Sequence, residues 1–99
     1  MIATIWRFRV PDEFVADFES TYGPEGDWAM LFARAPGYAG TELLKLDGES
    51  SYLTIDRWQS EADYQSARKR LEPEYTVLDR RCEAYTSEET WLGLYIVHE

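Results

Sequence analysis

Between Tyr52 and Trp58 every second residue has a side chain suited to a binding or reacting site. Tyr52, Thr54, Asp56 and Trp58 fall on one face of an alternating run. Tyr64 follows six residues after Trp58, on the stripe Tyr64, Ala67 and Leu71 of a helix that starts at Ser60. Such residues build aromatic walls with a few polar groups, a lining that suits a planar small molecule. Phe8 and Thr54 from strands, with Trp28 and Phe32 from a helical stripe, are expected to bound the same pocket. Asp56, facing such a cavity beside Trp58, is a candidate base whose pKa rises on burial. Each residue also has a plainer reading: Asp56 paired with Arg57 or another surface base, and Trp58 and Tyr64 as ordinary core aromatics.

Other chemistries find no residues. There is one histidine, His98 near a strand end, and one cysteine, Cys82, so no metal-ligand set is spelled out. No glycine-rich phosphate loop follows a strand, and a Ser-His-Asp arrangement would have to use the sole histidine. No flavin, haem or metal is therefore expected. The net charge of −9, from 19 acids against 10 bases, opposes nucleic acid and anionic membrane surfaces. The basic clusters Arg68-Lys69-Arg70 and Arg80-Arg81 are interrupted by Glu72, Glu74, Asp79 and Glu83, and read as solvated helix faces. No apolar run approaches the ~18 residues of a membrane span, and the first residues read as a strand rather than a leader. A lone cysteine forms no intrachain disulfide, so a cytoplasmic location is expected.

The elements that must position these residues follow from periodicity. Ile2, Thr4, Trp6, Phe8 and Val10 alternate with Ala3, Ile5, Arg7 and Arg9, which predicts a strand. Pro11-Asp12-Glu13 opens a helix with the stripe Phe14, Phe18 and Tyr22, stopped by Gly23-Pro24. Trp28, Leu31, Phe32 and Ala35 mark a second helix, ended by Pro36-Gly37. Two strand-like runs flank Asp47-Gly48, a hairpin signal. The helix from Ser60 is followed by another, with Pro73 in its first turn and Tyr75, Leu78, Cys82 and Tyr85 on one side. Thr90 to His98 predicts a last strand, with Trp91, Gly93, Tyr95 and Val97 on one face. With helical pieces merged, residues 1–99 form one α+β domain of ferredoxin-like βαββαβ order, an antiparallel sheet with helices on one face. Ile5 opposite Trp6 and Leu94 opposite Tyr95 leave the second sheet face apolar, and a second copy is its expected cover.

A helix followed by Pro36-Gly37-Tyr38-x-Gly40, a hairpin, and the helix start Trp58-Gln59-Ser60 resembles the antibiotic biosynthesis monooxygenase family. The resemblance implies a dimeric α+β barrel. In members that oxidise aromatic polyketide intermediates without a cofactor, a Trp ending this strand and a Tyr six residues on line the substrate cavity, which assigns Trp58 and Tyr64 to the site. The chain departs from those enzymes in having no asparagine. Thr54 stands where the strand carries Asn, and Arg80 and Arg81 are only approximate counterparts of a later Arg. The haem-degrading branch uses an Asn, a Trp and a His, of which only Trp58 is matched. The resemblance thus implies cofactor-free oxygenation of an electron-rich phenol, anthrone or related molecule, or, alternatively, a ligand-binding or accessory homodimer without turnover.

Overall fold

Alternating apolar residues build the central strand β1 (Ile2–Arg9), which pairs on both sides. Its even positions Ile2, Thr4 and Phe8 are buried, and Arg7 and Arg9 on the other face are exposed. The computed structural model describes residues 1–98. Helix α1 (Val15–Tyr22) buries Phe18 and Tyr22 against the sheet, and α2 (Asp27–Phe32) buries Trp28, Leu31 and Phe32. Strands β2 (Tyr38–Lys45) and β3 (Ser51–Trp58) form the hairpin, and α3 (Glu61–Arg70) and α4 (Glu72–Cys82) lead to β4 (Glu88–Ile96). The sheet order is β2-β3-β1-β4 with every neighbour antiparallel, which is the ferredoxin-like arrangement anticipated from the element order.

Local differences from the sequence expectations have local causes. The segment after Pro11 begins as a 3-10 turn, Asp12–Phe14, closed by the Phe14 amide donating to the Pro11 carbonyl at 2.9 Å, so the α-helix proper starts at Val15. Helix α2 stops at Phe32 instead of running to Ala35. Its last turn tightens into i to i−3 bonds, from Arg34 to Leu31 and from Ala35 to Phe32. The hairpin loop is longer than Asp47-Gly48 alone: Glu49 donates back to Leu46, and Gly48 sits at φ +78°. Ser60 caps α3 by accepting from the Asp63 amide at 3.1 Å.

The last strand differs most. Ile5 pairs with Gly93 but Trp6 pairs with Trp91, so Leu92 is an extra residue. Trp91 and Gly93, expected on one face, therefore lie on opposite faces, and Trp91 shares the helix-covered face with Leu94. A second bulge occurs in β2, where Tyr38 pairs with Trp58 but Gly40 pairs with Arg57. Ala39 is the extra residue there, and Gly40 at φ +119° absorbs the irregular backbone. Because of this bulge Tyr38 and Thr41 both face the helices. The opposite sheet face carries Ile5, Leu53 and Ile55 on its two inner strands and Leu44 and Tyr95 on its edge strands, together with Arg7 and the Arg57–Glu42 and Arg9–Glu88 ion pairs. Leu44 and Tyr95 there are 46% and 50% exposed.

Candidate functional site

Antiparallel pairing sets Thr54 opposite Trp6 and Asp56 between Thr4 and Thr41, all on the face that the helices cover. The helices do not fill that space completely. A cavity of about 360 Å³ remains between sheet and helices, a size within the range that small-molecule sites occupy. The sheet contributes Trp6, Phe8, Thr41, Thr54, Asp56 and Glu89 to its lining. From the helices come Tyr22, Trp28, Phe32 and Tyr75, with Arg68 and Asp79. Aromatic contacts fix the walls: Phe8 lies 5.0 Å from Tyr22, Trp28 lies 4.8 Å from Tyr75, and Trp6 meets Trp91 edge-on at 5.2 Å.

Asp56 is the buried carboxylate of this lining, 8% exposed. Burial pushes its pKa from 3.8 up to about 6, partly offset by the hydrogen bond from Thr41. The Thr41 hydroxyl donates to Asp56 Oδ1 at 2.5 Å, and the Tyr38 phenol lies 2.5 Å from Thr41 Oγ1. The alternative pairing of Asp56 with Arg57 is overturned. Successive strand residues point to opposite faces, and Arg57 forms its ion pair with Glu42 on the outer one. Other titratable groups around the cavity are also perturbed. Burial raises the Tyr22 phenol, and the Cys82 thiol beside it adds to this. Burial likewise raises Glu89, helped by Asp79 and Glu83. The Arg68 guanidinium stacks 4.3 Å over the Tyr75 ring and donates to the Tyr64 hydroxyl at 3.2 Å.

Of the residues expected at the pocket, Phe8, Trp28, Phe32 and Thr54 lie in its lining, whereas Trp58 and Tyr64 do not. Trp58, 1% exposed at the end of β3, packs against Phe32, Tyr38 and Tyr64 at 5.5, 5.4 and 5.8 Å. Phe32 touches both Trp58 and the cavity, so the Trp58–Tyr64 pair sits in a layer behind the wall. The indole N–H groups of Trp28 and Trp58 are buried with no hydrogen-bond partner among the described residues. Sequence reasoning missed Trp6, Tyr22, Thr41, Arg68, Tyr75, Asp79 and Glu89. The even-face alternation of β1 already placed Trp6 beside Phe8, and the stripe of Phe14, Phe18 and Tyr22 already pointed inward. Thr41 carried no such signal, because the Ala39 bulge resets its face. Among the described residues no three His, Cys, Asp or Glu side chains gather as a metal-ligand set, and no helix is long and apolar enough to cross a membrane.

Fold and cavity together define a small ferredoxin-like α+β domain with an aromatic-walled cleft between its sheet and its helices. The chain belongs to the antibiotic biosynthesis monooxygenase family, whose model matches residues 1–75. Among solved structures it is similar to SnoaB, a cofactor-independent oxygenase from Streptomyces nogalater. The two are 26% identical, over 99% of this chain and 93% of that one, with a TM-score of 0.77. A putative antibiotic biosynthesis monooxygenase from Nitrosomonas europaea, 12% identical over 100% of both chains, shares the fold at a TM-score of 0.73. So does a mutant of MhuD with two manganese protoporphyrin IX molecules bound per active site, 18% identical over 100% of this chain and 96% of that one, at 0.72. No curated protein sequence matches the chain. The family and the oxygenase relative support a monooxygenase-type function in general terms.

Proposed function

We propose that the protein is a cofactor-independent monooxygenase that oxidises an aromatic or polyketide-type small molecule inside the cavity. The observation that carries this reading is the cavity itself: about 360 Å³, six aromatic side chains in its lining, and a buried carboxylate among its polar groups. Likeness to an oxygenase that works without a cofactor supports it. A phenolic carbon acid such as an anthrone supplies its own electrons once deprotonated. Its anion passes one electron to O₂, and the radical pair recombines as a peroxide on carbon. Loss of water then leaves a carbonyl: the CH₂ carbon gives up two hydrogens and gains one oxygen, and the second oxygen departs as water. The protein has to bind the ring, exclude water and move protons.

In this reading Phe8, Trp28 and Phe32 sandwich the substrate, and Thr54 offers it a hydroxyl. Trp58 and Tyr64 act from behind Phe32, holding that wall in place. The working unit is a homodimer with sheets face to face, because the outer face would otherwise leave Ile5, Leu44, Leu53, Ile55 and Tyr95 to water. A single buried thiol is compatible with a cytoplasmic location. The test is aerobic incubation of the purified protein with 1,8-dihydroxy-9-anthrone under ¹⁸O₂. Conversion to the quinone with one labelled oxygen, faster than in buffer, is the expected result. Saturable binding of the anthrone without conversion would replace the enzyme with a ligand-binding dimer.

A further inference from the structure

We infer that Asp56 is the base that takes the substrate's proton, and that Thr41 and Tyr38 are positioning residues that hold it as a three-oxygen relay. The inference rests on reading the cavity as an oxygenase site, and it names the group that starts the reaction there. A carbon acid or phenol bound against the aromatic walls needs a proton acceptor within the cavity. Asp56 lies on the same strand face as Thr54, two residues along, and both line the cavity. The transfer balances simply: the substrate C–H or O–H bond breaks, its electron pair stays on the substrate, and the proton forms an O–H bond on the carboxylate.

The hydroxyls fix the direction of the relay. An ionised Asp56 has no proton to give, so Thr41 must donate to it, and Thr41 has only one proton. The 2.5 Å bond between Tyr38 and Thr41 is then made by the Tyr38 proton, which locks the Thr41 rotor towards Asp56. Once Asp56 has taken the substrate proton, both bonds reverse. Asp56 donates to Thr41 and Thr41 donates to Tyr38, so the neutral carboxyl keeps a hydrogen-bond acceptor for its new proton while the negative charge stays on the substrate. This geometry exists because the Ala39 bulge brings Tyr38 and Thr41, three positions apart, onto one face.

The titratable and charged groups facing Asp56 across the cavity are Tyr22 from α1, Arg68 from α3, Tyr75 and Asp79 from α4, and Glu89 from β4. Helix α2 contributes Trp28 and Phe32, neither of which titrates there. Desolvation is the main influence on Asp56, and the Thr41 bond opposes it. Activity that depends on Asp56 as a carboxylate rises with pH, and removal of the Thr41 donor moves that rise to higher pH.

Hydrogen exchange separates deprotonation from oxygenation. The C10 protons of 1,8-dihydroxy-9-anthrone are followed by NMR in D₂O without oxygen, for the intact chain and for Asp56→Asn, Thr41→Val, Thr41→Ser and Tyr38→Phe. The native chain should accelerate exchange, and Asp56→Asn should lower the rate about 100-fold or more, the usual scale of a lost general base. Thr41→Val should shift the acid limb of the pH profile upward, Thr41→Ser should restore it, and Tyr38→Phe should shift it less. Exchange without quinone formation in air would defeat the oxygenase reading and leave the base in place. Asp56→Asn exchanging within a few fold of the native chain with the same pH profile would overturn the inference, as would a native chain that gives no acceleration.

Discussion

Replacing Asp56 by asparagine should stabilise the protein above pH 6 and change little below pH 4. The folded protein holds the Asp56 proton more tightly than an unfolded chain does, with a pKa raised from 3.8 to about 6 by burial. Between those two values the native state binds more protons than the denatured state, so the wild-type protein loses stability as pH rises through the window. At ~1.4 kcal/mol per pH unit the accumulated loss is about 3 kcal/mol, all of it present above pH 6. Asparagine has no charge to bury, and its side-chain carbonyl still accepts from Thr41, so the variant escapes the loss. Urea unfolding of both proteins between pH 3.5 and 8, at one protein concentration because self-association shifts apparent stability, gives the difference directly. Glu89 and other perturbed groups are common to both proteins and cancel. The difference should grow by about 3 kcal/mol from the acid to the alkaline end, more than ten degrees in Tm for a domain of this size. A difference that stays flat across pH, or shrinks as pH rises, would mean that Asp56 is not a desolvated carboxylate.

Oxidation of the anthrone should climb through about pH 6 as Asp56 ionises and then level off, read from initial rates of quinone formation. Trp58→Ala, which empties a fully packed position, should cost roughly 3–5 kcal/mol in denaturant unfolding; a loss under 1 kcal/mol would put Trp58 on the cavity wall after all. Gly37→Ala should cost about 1–3 kcal/mol, because Gly37 holds φ +91° and a Cβ there would meet the Asp63 side chain. Thermal melts against Gly40→Ala, where the added Cβ meets open space, separate that clash from backbone strain. Ile55→Glu on the outer sheet face should convert the dimer to a monomer in sedimentation at micromolar concentration, and a native chain that is already monomeric would refute the face-to-face assembly.

The fold was legible because strong periodicities agree with their neighbours. The alternation of β1, the stripes of α1 and α2, the Ser60 start and Pro73 all point to one order of elements. Five of the twelve lining residues were legible for the same reason: Phe8, Thr54 and Asp56 by simple alternation along β1 and β3, and Trp28 and Phe32 from the stripe of α2. Alternation does not say how far along a strand the helices make solid contact. Trp58, at the last position of β3, is sealed by Phe32, Tyr38 and Tyr64, while Thr54 and Asp56 nearer the middle border the open space. Thr41 and Trp91 were hidden for another reason. Each adjoins a bulge, and one extra residue inverts the side-chain parity on which a period-two reading depends.

The extra residue at Ala39 has a consequence for how such a domain diversifies. Strand β2 is at the rim of the sheet, so a gain or loss of one residue there disturbs a single ladder and leaves β3 and β1 as they are. Removing Ala39 would leave Tyr38 opposite Trp58 and Thr41 opposite Asp56 in an unbroken ladder, both on the helix-covered face by plain alternation. A one-residue change of length there, unlike one in β3 or β1, is thus a change such a domain can take up without moving Thr54 or Asp56 off the cavity. Within this fold, the cross-strand partner of a β2 residue, and not its distance along the chain, says which face it serves.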